Sequence, residues 1–143
     1  MGFQSPSPLN LNGTISPSII IDPGLPPADI IKAGTPFQVK VDWEIHGTAV
    51  PLVAGTFRVQ VFFESIGPGP ETVDPPAPIN VPVTSVPLLP GPQRQYTVNV
   101  PVPGALLTPG AYNMVALLTY LDVANNPGPM AGFSDEKILQ VFP

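Results

Sequence analysis

The fold of this chain is decided by residues 107–120, LTPGAYNMVALLTY. The proline and glycine at positions 109 and 110 predict a turn that carries the backbone from one sheet to another. Tyr112 follows two residues later, so its ring can be buried while its hydroxyl bonds back to the preceding turn. The residues behind Tyr112 predict a central strand. This pattern is typical of the corner of a sandwich built from two β-sheets.

The composition agrees with a single all-β domain. A chain of 143 residues can bury one core, but it is too short for two sandwich domains of about 100 residues each. Its 23 prolines would indicate disorder in a polar chain, yet 43% of the residues are apolar and only 10% are charged. Because proline is excluded from helix interiors, we place the prolines in the turns and loops that separate buried strands.

Three segments alternate apolar and polar residues with the two-residue period of a half-buried strand: residues 37–46, 57–64 and 95–102. The inward positions of these segments carry five aromatic residues, and the corner tyrosine makes a sixth. The six are Phe37, Trp43, Phe57, Phe63, Tyr96 and Tyr112. Short strands with turn signals between them, and no helical pattern, predict a β-sandwich.

The remaining segments complete this prediction. Residues 79–86 also alternate, but Pro82 cannot donate a ladder hydrogen bond, so we place this strand at a sheet edge. Residues 67–78 hold five prolines and read as a loop. After the corner strand we expect a loop over residues 122–132 and a last strand over residues 133–142.

Trp43 near the end of its strand, the corner at residues 107–112 and the alternating strand behind it resemble a fibronectin type III or bacterial immunoglobulin-like domain. The resemblance covers roughly residues 29–142 and implies an immunoglobulin-like sandwich that binds or scaffolds other molecules. The chain lacks the cysteine pair of antibody domains, and residues 122–132 lack the Arg-Gly-Asp tripeptide of cell-adhesive modules.

We therefore predict a proline-rich extended arm over residues 1–28 and an immunoglobulin-like sandwich over residues 29–143. The arm has six prolines and one isolated apolar run, Ile19, Ile20 and Ile21. Two readings of that run remain open. It forms the first strand of the sandwich, or it adds to a sheet edge of a neighbouring molecule.

Charge and composition exclude several classes of partner. With a net charge of −5 and only five basic residues, the chain offers no cationic footprint for nucleic acid. We expect no membrane insertion, because no apolar run approaches the length of a span, and no secretory signal in residues 1–11. The absence of cysteine removes disulfides and thiolate chemistry but does not fix a cellular compartment.

The only histidine, His46, shares a strand face with Asp42 and Glu44. Alternate residues of a strand lie about 6.6 to 7 Å apart, which is long for ligands of one metal ion. We predict a solvated polar face and no metal site there. A catalytic triad has no support beyond this single histidine, so we expect neither an enzyme nor a cofactor.

A second set of oxygen-bearing side chains lies near the last turn: Asp122, Asn125, Asn126, Asp135 and Glu136. Their spacing does not match that of a calcium-binding EF-hand loop. Asparagine before a proline-glycine pair is ordinary turn chemistry, and we interpret the segment in that way.

The better functional clue is an asymmetry between the predicted sheets. The outward positions around Trp43 are polar, whereas those of the opposite sheet carry Phe62, Val115, Leu117 and Leu121. Depending on the register of the last strand, either Ile138 and Phe142 or Leu139 and Val141 join them. Such a patch predicts an interface. Alternatively, residues 14–21 of the arm or the proline-rich loop around residues 86–90 cover it within the same chain.

These observations lead to one functional hypothesis and one rival. We expect a non-catalytic structural or assembly subunit that contacts copies of itself or a larger scaffold, as in a filament, a shell or a decorated particle. The contacts would be made by Phe62, Val115, Leu117 and Leu121, with Ile19, Ile20 and Ile21 of the arm. The rival is a ligand-binding or carbohydrate-binding sandwich with exposed aromatic rings.

Overall fold

The computed structural model describes residues 3–4, 12–20, 30–66, 75–134 and 137–143. Within them the chain forms ten β-strands and two short 3-10 helices, Val50–Leu52 and Val83–Ser85, and no α-helix. The strands are β1 (Phe3–Gln4), β2 (Asn12–Ile20), β3 (Ile30–Lys32), β4 (Phe37–His46), β5 (Thr56–Ser65), β6 (Ile79–Pro82), β7 (Gln93–Val102), β8 (Gly110–Leu121), β9 (Pro127–Phe133) and β10 (Lys137–Phe142).

The first sheet has the order β2–β4–β7, with both neighbours antiparallel to β4. The alternation predicted for residues 37–46 is confirmed, because β4 buries every second side chain along its whole length. Trp43 lies between Ile15 of β2 and Tyr96 of β7 in the register. All three side chains are buried and face the interior.

The second sheet is built around β8, the longest strand. Along one side β8 pairs with β5, and β6 pairs with the outer side of β5. Along the other side β8 pairs first with β10 and then with β9. The short strand β1 adds to β9, and β3 adds in parallel to β10.

The last part of the second sheet differs from the predicted loop over residues 122–132 and single strand over residues 133–142. Here β9 already begins at Pro127, and Ser134 separates it from β10. Ser134 is buried, its Oγ accepts a hydrogen bond of 2.8 Å from Ala116 N, and its own N–H donates to Ala116 O at 2.9 Å. The serine thus keeps the β8 backbone satisfied where the regular ladder is interrupted.

One apolar cluster joins the two sheets. Its aromatic centre is formed by Trp43, Phe57 and Tyr96: the first and third rings stack with centroids 5.0 Å apart, and Phe57 meets Trp43 edge-on at 5.9 Å. Since β4 and β7 belong to the first sheet and β5 to the second, these contacts span the sandwich. All six aromatic residues that the sequence places inward are buried.

Residues 79–86 do not form one strand. The ladder ends at Pro82, and Val83 begins a 3-10 helix in which the Val83 N–H donates to Gly55 O at 2.9 Å. The placement of Pro82 at an edge is confirmed, since among the described strands β6 pairs with β5 alone. Proline ends the ladder because it has no N–H, and the chain then crosses toward β7.

Part of the predicted arm belongs to the first sheet. Strand β2 pairs with β4 along its length, and Ile19 and Ile20 lie opposite Val39 and Gln38 of the same chain. The backbone of this run therefore already has a partner strand within the chain, which favours the first-strand reading over addition to a neighbour. Ile21 lies outside the described residues.

The corner that decides the fold forms as predicted. Tyr112 is 2% exposed, and its hydroxyl donates to Thr108 O at 2.7 Å and lies 3.1 Å from Thr108 Oγ1. The bond ties the start of β8 to the turn that precedes it. The ring itself packs in the core shared by both sheets.

We expect Tyr112→Phe to lower the free energy of unfolding by about 1 kcal/mol, because it removes one hydrogen bond and keeps the packed ring. Urea unfolding measures this loss. Thr108→Ala is the matched control, since it deletes the hydroxyl contact but keeps the carbonyl acceptor, and it should cost less. Identical unfolding midpoints for Tyr112→Phe and the native chain would contradict a stabilising role for the corner bond.

Candidate interaction surface

The outer face of the first sheet is polar. Strand β4 presents Lys40, Asp42, Glu44 and His46 there, all of them half-buried. His46 Nδ1 lies 3.6 Å from Glu44 Oε1. Around Lys40, Asp42 and Glu44 the face has a hollow of about 550 Å³ that also borders β2 and β7. Alternating charge and hydrogen-bonding groups make this face suited to contact with water.

The polar face carries the three side chains considered as metal ligands, Asp42, Glu44 and His46. Across the described ranges of the chain, no three His, Asp or Glu side chains come close enough together to hold an ion. Asp42, Glu44 and His46 form no such group.

The turn after β8 uses its carboxylate for its own backbone. Asp122 Oδ1 accepts hydrogen bonds from Ala124 N at 2.9 Å and from Asn126 N at 3.0 Å, and Asn125 adopts a φ of 63°. This is the turn chemistry expected of asparagine and aspartate. Asp135 and Glu136, the other carboxylates considered for calcium, lie outside the described residues.

Tyr96 of β7 and Tyr120 of β8 have raised pKa values. Burial raises the pKa of Tyr96 to about 12, against a smaller opposing effect of the Arg94 charge, and its hydroxyl donates to Val83 O at 2.6 Å. Burial also raises the pKa of Tyr120, and the Asp122 charge adds to the rise. The Tyr120 hydroxyl donates a hydrogen bond to Ala54 O. Both phenols remain protonated near neutral pH and anchor loops.

The outer face of the second sheet is more apolar. Phe62 of β5 lies opposite Val115 of β8, and Gln60 lies opposite Leu117. Phe62 is 37% exposed, whereas Val115 and Leu117 are half-buried. These three side chains form the apolar centre of the face.

The register of β10 decides which of its side chains join this face. Ile138 is 57% exposed and Phe142 is 46% exposed, whereas Leu139 and Val141 are buried in the core. The structure therefore selects the first of the two open alternatives. Sequence reasoning could not choose between them, because Leu139 and Val141 are as apolar as Ile138 and Phe142.

Leu121 does not belong to the accessible face, contrary to the prediction. It is only 4% exposed. The pairing of β8 with β9 shifts register between Thr119 and Leu121. Leu121 itself pairs with Thr56 of β5 on one side and with Pro127 of β9 on the other. Simple alternation along β8 fails at this irregularity, so a residue counted as outward is covered.

Sequence reasoning also missed Ile30 and Ile66. Ile30 is 58% exposed and lies beside Gln140, because β3 adds in parallel to β10. Ile66 is 44% exposed at the end of β5. Ile66 could have been found by extending the alternation of β5, because it falls on the same side of the strand as Phe62. Ile30 could not, because nothing in the local sequence predicts that β3 pairs with β10.

The described residues of the two segments considered as a cover lie elsewhere, and Ile21 is outside the described residues. Residues 14–20 are in β2 of the opposite sheet. The loop near residue 86 lies beside β7, where Arg94 donates to Val86 O and Leu89 bridges to Gln93. The side chains of Phe62, Ile138 and Phe142 remain accessible in the described part of the chain.

No protein-family model matches the sequence, and no curated protein is significantly similar to it. Solved structures resemble the fold. A CARDB domain from Pyrococcus furiosus, crystallised in complex with di-metal ions, matches with a TM-score of 0.54 and 12% identity, over 94% of this chain and 96% of that domain.

A β-glucosidase from Listeria innocua in complex with glucose matches with a TM-score of 0.53 and 12% identity. The match covers 92% of this chain but only 16% of the enzyme. At such identity these likenesses show a β-sandwich fold alone.

In the described residues, no helix has the length and apolar character needed to cross a membrane.

Proposed function

We propose that this chain is a non-catalytic structural or assembly module that makes protein–protein contacts through the outer face of its second sheet. The observation that supports this is the difference between the two outer faces. One is lined by Lys40, Asp42, Glu44 and His46, while the other exposes Phe62, Ile138 and Phe142. Apolar side chains grouped on one face of a soluble domain typically mark an interface.

We further propose that the sandwich is of the immunoglobulin-like, fibronectin type III type. The order β2–β4–β7 faces the order β6–β5–β8–β10, and β3 runs parallel to the last strand. Trp43 on β4 and the corner residue Tyr112 at the start of β8 are the two residues that carry the resemblance in sequence. Such modules support binding and scaffolding functions of many kinds.

The carbohydrate-binding alternative has less support. The hollow on the first sheet offers hydrogen-bonding groups, but the two aromatic residues nearest to it, Trp43 and Tyr96, are each only 3% exposed. A sugar ring would have no aromatic platform there. The exposed rings Phe62 and Phe142 lie on the other sheet.

Site-specific photo-cross-linking tests the proposed function. Phe62 is replaced by p-benzoylphenylalanine, which keeps the aromatic ring, and the protein is irradiated in the cells that naturally produce it. Thr97, an exposed residue of the first sheet, receives the same replacement as the control. We expect discrete cross-linked protein products from position 62 and few from position 97. Equal yields from both positions, or no protein product from position 62, would refute the proposal.

A further inference from the structure

We infer that the partner of this face is a second copy of the chain, packed about a two-fold axis that brings Arg58 of each copy to Glu64 of the other. The inference rests on the proposed function, since it names the partner of the same face. It comes from the placement of charge on β5, which makes the face complementary to itself.

Arg58 and Glu64 lie on the same strand and on the same outer face. The burial pattern of β5 alternates around them, with Phe57, Val59, Val61 and Phe63 buried and the residues between them more exposed. They are six residues apart, or about 20 Å along the strand. Val61 is their midpoint, so the positive and negative charges are equally distant from the centre of the strand.

A two-fold axis that lies in the plane between the two faces, perpendicular to the strands and directly over Val61 of β5, exchanges the two ends of this pattern. Arg58 then meets the second copy's Glu64, and Glu64 meets its Arg58, giving two opposite-charge pairs. Between them Phe62 covers the second copy's Gln60. On β8 the register places Val115 beside Phe62 and Leu117 beside Gln60, so these two aliphatic side chains also meet each other across the axis.

The two charged side chains have few competing contacts. Arg58 Nε donates one long hydrogen bond of 3.5 Å to Asn80 Oδ1 of the neighbouring strand β6, at an exposed position. Glu64 is exposed and makes no hydrogen bond or ion pair within the described residues. A guanidinium can form further hydrogen bonds to a carboxylate with its remaining donors.

The charge of the whole molecule favours this face for self-association. The chain carries a net charge of −5, so two copies repel each other unless their contact faces are not negative. Among the described residues of the proposed face, the outward charges of β3, β5 and β8 are Lys32, Arg58 and Glu64, which do not sum to a negative value. An interface between identical faces must be self-complementary, and the Arg58–Glu64 exchange meets that condition.

Charge reversal with sedimentation analysis tests the inference, over roughly a hundredfold range of protein concentration. Arg58→Glu alone creates two carboxylate pairs across the axis, and Glu64→Arg alone creates two guanidinium pairs. Each single variant should weaken the dimer by about tenfold to a hundredfold. The double variant Arg58→Glu with Glu64→Arg restores both opposite pairs and should dimerise like the native chain.

Mixing the two single variants provides the sharpest readout. Arg58→Glu has carboxylates at both positions, Glu64→Arg has guanidinium groups at both, and a mixed dimer therefore contains two opposite-charge pairs. The mixture should associate more tightly than either variant alone. Lys40→Glu and Glu44→Arg make matched charge changes on the first sheet and should leave the dimer unchanged. Circular dichroism confirms that each variant is folded.

A native chain that stays monomeric over the whole range, or a mixture no tighter than its components, would overturn the inference. These results are separable from failure of the proposed function. Cross-links from position 62 to a different protein leave the proposed function standing and remove the second copy as partner. The absence of any cross-linked protein from position 62 removes both.

Discussion

Replacing Trp43 with alanine should lower the free energy of unfolding by about 3 to 5 kcal/mol, the range for deleting a large buried ring. Trp43 is 3% exposed, stacks on Tyr96 at 5.0 Å and meets Phe57 edge-on at 5.9 Å. It therefore holds the two sheets together at the aromatic centre of the core. Domains of this kind are stable by only about 5 to 15 kcal/mol, so the loss is a large fraction of the total.

Guanidinium unfolding of the native chain and variants measures this effect. Trp43→Phe is the informative comparison: the indole Nε1 is buried without a hydrogen-bond acceptor in the described residues, so phenylalanine loses ring volume but no hydrogen bond. It should cost clearly less than alanine. Leu52→Ala controls for an exposed apolar residue, since Leu52 is 85% exposed and should contribute almost nothing. A Trp43→Ala loss below about 1 kcal/mol would mean that the sheets do not depend on this ring.

Gly55→Ala should cost about 2 to 4 kcal/mol, because two independent constraints act at this position. The backbone φ is 107°, a value that residues with a side chain rarely adopt, and a Cβ there would lie 2.3 Å from the backbone oxygen of Leu121 and 2.9 Å from the hydroxyl of Tyr120. The contact with backbone cannot be relieved by a rotamer change. The substitution would also disturb the hydrogen bond from Tyr120 to Ala54 O.

Gly91→Ala separates the two constraints. Its φ of 97° is similar, but a Cβ at this position has nothing within 4 Å, so only backbone strain of about 1 to 2 kcal/mol remains. We expect the thermal unfolding midpoint to fall much further for Gly55→Ala than for Gly91→Ala. Equal shifts would show that the contact with Leu121 relaxes without cost and that the conformational term accounts for both.

Local patterns predicted those elements whose cause is local. The alternation from Phe37 to His46 needs only the two-residue period of a strand with one buried face, and β4 follows it. The Tyr112 corner needs a turn and a tyrosine at a fixed distance, and both are present within six residues of sequence. The predicted edge position of Pro82 follows from a missing donor, which is a property of the residue itself.

The sequence predictions were wrong where the end of a strand, or the exposure of a side chain, depends on pairing with a strand that is distant in sequence. The end of the ladder at Pro82 and the 3-10 helix that follows are coupled to Gly55, whose carbonyl accepts from Val83. The division between β9 and β10 depends on Ser134 meeting Ala116. Leu121 is covered because β8 changes its register with β9, which no alternation count along β8 can show.

The candidate surface also combines residues that the local pattern predicted with residues that only strand pairing could place. Phe62, Val115 and Leu117 were identified from parity, and the structure places them as neighbours on one outer face. Their joining with Ile138, Phe142 and Ile30 required the register of β10 with β8 and the parallel addition of β3. The alternation of residues 57–64 also places Arg58 and Glu64 outward, but the register of β5 with β8 was needed to place them around an apolar centre.

The sequence by itself determined that this chain is a β-protein with one side of each strand buried, because side-chain alternation and proline punctuation act residue by residue. The tertiary structure alone decided which strands are neighbours, where their ladders end and which apolar side chains remain accessible. Those outcomes depend on backbone hydrogen bonds and packing between segments far apart in the chain, and such pairings leave no local signal in composition or periodicity.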